Sequence, residues 1–228
     1  MIMIRALIII GLLNNIGLVH GLSSLSMSSK QPFQFGRFLK TISFFKVINP
    51  LKSLFGGKTS TEKIRITAGS DLWTISNPLK LEWGALDDVV MGGVSKTEIT
   101  SGSSFQGRWK GFVTDANNGG FAGIRTRLIS PALDLSFCQG LVIKLSGDGQ
   151  RYKFIAREDE EWNGIAWSTS FDTNDKKSIE VKIPFDSLKP TRFAKILDFS
   201  RKFNSASFTG LQFTLSKFEY DGNKNVLS

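Results

Sequence analysis

The sequence predicts an all-β protein, an antiparallel β-sandwich of jelly-roll type preceded by a targeting leader. Three observations carry this. Beyond residue 70 the chain is a succession of short runs in which apolar and polar residues alternate, with turn residues between them, the pattern of strands with one buried face. A helical apolar period is nearly absent from that stretch, and 19 phenylalanines supply bulk for two facing sheets. Charge divides the chain: seven of its basic residues (Arg5, Lys30, Arg37, Lys40, Lys46, Lys52, Lys58) and no acid lie in residues 1–61. The 22 basic and 20 acidic residues left give residues 62–228 a net charge of only +2, against +9 for the whole chain. The high isoelectric point therefore describes the leader, and nucleic-acid binding by the folded domain is not expected.

The elements follow in order. Residues 1–21 hold one charge at Arg5, an apolar run from Ala6 to Leu13, and Val19-His20-Gly21 at a cleavage-like position, which reads as a signal peptide. Asn14-Asn15 interrupts the run well short of the ~20 residues of a spanning helix. Residues 22–61 are rich in Ser, Phe and Lys, with Phe35, Phe38, Leu39, Ile42 and Phe45 at helical spacing. This is transit-peptide or linker chemistry with an interfacial helix, and peripheral membrane association through the leader goes with it. A signal peptide followed by a transit peptide favours a plastid; a mitochondrion is the alternative, with fewer early arginines than its presequences carry.

The domain runs over residues 70–225. Strands are expected at Val94–Ile99, Phe105–Thr114 and Phe121–Ile129. Inward faces are expected for Leu141/Ile143/Leu145, Tyr152/Phe154/Ala156, Ile165/Trp167/Thr169/Phe171, Ile179/Val181/Ile183 and Leu211/Phe213/Leu215. Gly147-Asp148-Gly149 reads as a hairpin turn, Pro184–Arg192 as a loop or short helical turn, and Glu158–Glu161 as a solvated acidic loop. The only histidine, His20, lies in the leader, and the only cysteine is Cys138 among apolar neighbours. Ser-His-Asp and Cys-His catalysis and the usual zinc sites are thereby excluded from the domain, and no disulfide can form within one chain. No cofactor is expected. Cys138 reads as a core residue.

Two segments do not fit generic turns. Residues 83–95 read W-G-A-L-D-D-V-V-M-G-G-V-S, and Asn117–Arg125 read N-N-G-G-F-A-G-I-R. Asp87 and Asp88 run into an apolar triplet; Gly92-Gly93 then supplies positive φ or close backbone approach. Adjacent residues on an extended segment face opposite ways, so one acid is expected to face inward and accept hydrogen bonds from the amides of the double-glycine bend. A carboxylate pair for acid–base work is the competing reading.

With F-Q-G at Phe105–Gly107, G-D-G-x-x-Y at Gly147–Tyr152 and S-K-F-E-Y-D-G at Ser216–Gly222, these segments resemble the NADH:ubiquinone oxidoreductase intermediate-associated protein family, in the family's order over roughly residues 70–225. The resemblance implies a galactose-binding-domain-like sandwich that assists assembly of a membrane complex. It also implies a further strand beyond Ser228, and no G-x-G-x-x-G of a joined dinucleotide-binding domain occurs. Carried onto this sequence, it points to a loop cluster of Trp83, Asp87, Asp88, Met91, Gly92, Gly93, Ser95, Asn118, Gly119, Gly120, Phe121 and Arg125. The function so implied is a non-catalytic assembly factor or chaperone-like module, with protein subunits or intermediates of a membrane redox complex as partners. A carbohydrate-binding module is the alternative, with Trp162 as the aromatic free to stack on a sugar; an enzyme ranks third.

Overall fold

The computed structural model describes residues 3–7, 9–10, 31–45, 62–69, 71–73, 81–101, 107–175, 177–193, 195–198, 200–219 and 225. Strands β1 (Met3–Leu7) and β2 (Ile9–Ile10) come first, then α1 (Phe35–Phe45), the one α-helix among the described residues. There follow β3 (Ile64–Arg65), β4 (Asp71–Trp73), β5 (Trp83–Ala85), β6 (Lys96–Ser101), β7 (Gly107–Phe112), β8 (Phe121–Thr126), β9 (Leu133–Asp134) and β10 (Gly140–Ser146). The last six are β11 (Arg151–Arg157), β12 (Ala166–Asp172), β13 (Ser178–Pro184), β14 (Lys189–Arg192), β15 (Lys195–Ile196) and β16 (Gly210–Ser216). Phe105 and Tyr220–Gly222 of the quoted motifs lie outside the described residues.

One sheet has seven antiparallel strands in the order β15-β14-β12-β11-β16-β8-β5. Against it stand a four-stranded sheet, β13-β10-β1-β4, and a three-stranded one, β2-β7-β6. The chain is thus mostly β, as expected, although β1 pairs in parallel with both β10 and β4, and β2 with β7. The apolar start of the segment read as a leader is therefore placed as strands on the small sheets.

Aromatic rings join the layers. Tyr152, Phe154 and Phe213 are fully buried. Trp109 meets Tyr152 edge-on at 5.3 Å between centroids, and Phe154 meets Phe213 at 5.7 Å. Each such ring contributes about 1.5–3 kcal/mol by burial. Cys138 is buried in the same cluster, where desolvation pushes its thiol up from the ordinary value.

Alternation predicts one face of each strand and misses the other. Between the inward Tyr152, Phe154 and Ala156 of β11, Lys153 and Ile155 are also buried, at 5% and 6% exposure. The outward face of the large sheet is therefore covered at its centre, and its floor is polar: Ser168, Thr191, Gln212 and Thr214 are buried there too.

Three sequence expectations need correction. Gly147-Asp148-Gly149 is no hairpin turn, because β10 and β11 belong to different sheets; it is a corner between layers. The Asp148 carboxylate holds it by accepting from the Tyr152 hydroxyl at 3.0 Å and from the Gln150 amide. Glu158 is not a solvated member of an acidic loop. It is buried, accepts from the Asn204 amide at 2.7 Å and pairs with Arg201. Pro184–Arg192 holds a 3-10 turn at Phe185–Ser187 and then strand β14, which pairs with β12.

Candidate functional site

Asp88 joins the two signature segments. It opens a 3-10 turn, Asp88–Met91, closed by Gly92 at φ 92°, a left-handed conformation that favours glycine. Its side chain is completely buried. One carboxylate oxygen accepts from the Ser95 amide at 2.9 Å; the other accepts from the Ser95 hydroxyl at 2.5 Å and the Gly120 amide at 2.7 Å. A buried carboxylate is tolerated when several donors surround it. Glycine makes the approach feasible: a Cβ on Gly93 or on Gly119 would lie 2.3 Å from the Asp88 carboxylate group. Ser95 extends the joint by accepting from the Thr114 amide at 3.1 Å, and the Asn117 carboxamide donates to Gly92 O at 3.1 Å.

Asp87 is buried as well, so both acids turn inward, to different partners. The 3-10 turn starting at Asp88 removes the extended geometry on which opposite orientations depend. The amides that Asp88 captures are those of Ser95 and Gly120 rather than those of the double-glycine bend. Asp87 accepts from the Thr97 amide at 3.0 Å and from the Arg37 guanidinium at 2.7 Å. Burial pushes its carboxyl above the usual range, and the Thr97 hydrogen bonds and the Arg37 charge offset this in part.

Arg37 belongs to α1, inside the segment read as a leader. The same guanidinium donates to Ser95 O at 2.7 Å. One turn before the helix, Gln31 and Asn117 exchange two hydrogen bonds, at 3.0 and 2.8 Å. At the far end, Phe44 fills the space over Gly84, where a Cβ would stand 2.4 Å from its ring, and Arg127 stacks on Phe44 at 4.6 Å. Residues 31–45 are thus a strap across the loop cluster. Sequence gave the helical period but not its dock, since Arg37 and Asp87 are 50 residues apart.

The remaining candidates separate. Trp83 stacks on Phe213 at 5.9 Å and belongs to the core packing. Met91 is 70% exposed. Asn118 stands at φ 61°, beside Asn117 at φ 56°, and shapes the turn that delivers Gly119 and Gly120. Trp162 is not free for a sugar: Phe45 packs on it at 5.1 Å, and the Arg125 guanidinium lies over its ring at 4.7 Å. Burial, with the neighbouring Arg157, brings Arg125 down to about 9, so it stays charged at neutral pH. Thr114 and Arg37 were missed, and Asn117 was quoted in its segment without a role, because each acts through the backbone or across a long sequence separation.

Asp88, Met91, Asn118, Gly119, Gly120 and Phe121 form one end of a cavity of about 470 Å³ on the outward face of the large sheet. Its floor comes from β11, β12 and β16, and its far end from Arg192, the last residue of β14, and Phe193 after it. Such a volume lies in the usual range of ligand pockets. The signature segments therefore build one wall of this cleft. The carboxylate oxygens of Asp88 are taken up by backbone amides and a hydroxyl, an arrangement for holding loops and not for moving protons.

Among the described residues no cluster of His, Cys, Asp and Glu has the make-up of a metal site, and no helix is long and apolar enough to cross a membrane. In comparison with known proteins, the sequence model of complex I intermediate-associated protein 30 (CIA30) matches residues 73–225. A comparison with curated proteins finds no match.

Proposed function

From the premise that the chain belongs to the complex I intermediate-associated protein 30 family, a family associated with complex I assembly, we propose that it is a non-catalytic, chaperone-like assembly factor. Its clients are subunits or assembly intermediates of an NADH:ubiquinone oxidoreductase or of a photosynthetic counterpart. The observation that carries this reading is the joint at Asp88: the two signature segments are locked together to form one wall of an open cleft. A protein whose most distinctive residues serve to shape a cleft, with the one hydroxyl beside a carboxylate among them, that of Ser95 on Asp88, buried and taken up in the joint, is suited to holding a partner.

The setting is an organelle, a plastid by the leader's signal-then-transit order. The strap supports processing ahead of Gln31, because later cleavage would remove Arg37 from Asp87 and Phe44 from Gly84. Cleavage there also withdraws β1 from between β10 and β4, leaving strand edges with which a partner strand can pair. N-terminal sequencing of the mature protein is expected to give a start between Gly21 and Gln31; a start at or before residue 20, or beyond Gln31, would break this reading. The functional test is recovery of a tagged copy from organelle extract, with native electrophoresis and mass spectrometry. Co-migration with subunits or intermediates of a membrane redox complex is expected. Their absence, together with saturable binding on a glycan array, would favour a carbohydrate-binding module instead.

A further inference from the structure

The cleft described above also indicates what it holds. On the outward face, the registers Ile155↔Ser168, Ile155↔Gln212 and Gln212↔Arg125 set these residues side by side across neighbouring strands. From β14 to β8 the cleft crosses five strands, about 19 Å at the usual strand spacing. An extended polypeptide of about six residues has that length.

Charge in the cleft is of one sign. Lys153, Arg157, Arg192 and Lys217 line it, and Asp88, fully engaged, is the one acid among its described lining residues. Lys153 donates to Phe218 O and lies 3.9 Å from Glu219, which fixes the floor. The two rim cations differ. The Arg192 guanidinium lies over the Phe193 ring at 5.6 Å and the Lys217 ammonium over the Phe218 ring at 5.2 Å. Neither forms an ion pair with a described residue. Each rim position thus offers a cation beside an exposed ring: Phe193 is 73% exposed and Phe218 46%.

At the floor, the Gln212 side chain is half satisfied. Its carboxamide nitrogen donates to Thr214 Oγ1 at 2.8 Å, while its oxygen is buried with no hydrogen-bond partner. Gln212 as a residue is only 6% exposed. A buried acceptor left unpaired is costly, and a bound N–H or O–H removes the cost.

Resting on the protein-binding reading above, we propose that the cleft takes an extended acidic segment of a partner polypeptide. Carboxylates of the segment meet Arg192 and Lys217, its apolar side chains meet Phe193, Phe218 and Met91, and a backbone N–H meets Gln212.

The test titrates the full chain, by fluorescence anisotropy, with a labelled hexapeptide of alternating Glu and Leu and with its Lys-for-Glu twin. An unlabelled oligogalacturonate serves as the acidic-glycan arm. The acidic peptide is expected to bind at least tenfold more tightly than its twin, and to lose about tenfold in the Arg192→Glu/Lys217→Glu double variant and at raised salt. Gln212→Met, an apolar side chain of similar volume, is expected to weaken binding several-fold while leaving the unfolding midpoint unchanged or raised. A purely structural Gln212 would show the reverse, a lowered midpoint with binding intact. Equal binding of the two peptides overturns the proposal, and so does an acidic peptide that fails to bind where the oligogalacturonate, titrated by calorimetry, does. Peptide binding without recovery of complex subunits would overturn the client assignment and leave the cleft chemistry standing; recovery of subunits without peptide binding would do the opposite.

Discussion

The joint at Asp88 and the floor at Gln212 are two buried polar regions lining one cleft, and they are finished to different degrees. Around Asp88 both carboxylate oxygens have donors, and glycines at 93 and 119 remove the atoms that would keep the chain away. At Gln212 half of a carboxamide is buried without a partner. A fully satisfied polar cluster fixes geometry; a partly satisfied one has capacity left for a ligand. The same cleft therefore contains a structural end and a recognising floor.

The sharpest way to break this comparison is Asp88→Ala. It strands the Ser95 and Gly120 amides in the interior at about 1–3 kcal/mol each, so a loss of about 4 kcal/mol in denaturant unfolding is expected. A loss under about 1 kcal/mol would mean that the two loops stand without their joint.

The glycines come next and separate two mechanisms. Gly93→Ala places a methyl group against the Asp88 carboxylate and is expected to cost about 2–3 kcal/mol. Gly92→Ala meets open space but must hold φ 92°, at about 1 kcal/mol. In a double-mutant cycle, Gly93→Ala should cost less once Asp88 is already alanine, because only the Cβ of residue 88, 2.8 Å from the added methyl, is left in its way, whereas Gly92→Ala should cost the same. Equal coupling for both glycines would refute the cage.

Arg37→Ala tests the strap through pH. Asp87 has its pKa raised above the ordinary carboxylate value, chiefly by burial. The folded protein thus takes up this proton at higher pH than the unfolded chain does, and Asp87's own contribution to stability falls as pH rises through that window. Arg37 opposes this only while Asp87 is charged. Its removal is expected to cost about 2 kcal/mol at neutral pH, and the gap should close as pH falls through the raised pKa. A gap independent of pH would assign the strap's hold to Ser95 O and to Phe44 packing instead.

The smallest effect on stability belongs to Met91→Ser, at the exposed lip of the cleft. Within about 0.5 kcal/mol of no change is expected, with weaker binding of the acidic hexapeptide. A large destabilisation would make Met91 part of the joint.

Period-two alternation was enough to place β10, β11, β12, β13 and β16 and their inward faces, because each inward residue reports its own burial. It was silent on the outward face, where Lys153 and Gln212 look like ordinary solvent-facing residues until neighbouring strands and the Phe193 and Phe218 rims cover them. The signature segments were recognisable as belonging together, and Gly92's positive φ followed from its residue type. What Asp88 binds did not, since the answer lies in amides 7 and 32 residues away. The 147–149 corner was misread because Asp-Gly suits any tight reversal, and nothing local says which layer the next strand will join.

The cage at Asp88 bears on how this sequence can change. Gly93 and Gly119 lie in separate stretches of the chain, yet both are constrained by a third residue, and neither can gain a side chain while the carboxylate remains. A substitution at either glycine must then pass through a destabilised intermediate, and so must replacing the acid first, which vacates the carboxylate space at both glycines but leaves the Cβ of residue 88 2.8 Å from a side chain at position 93. Substitutions across the two stretches should therefore arrive together, and a loop from one lineage grafted alone onto another should fail unless its counterpart travels with it.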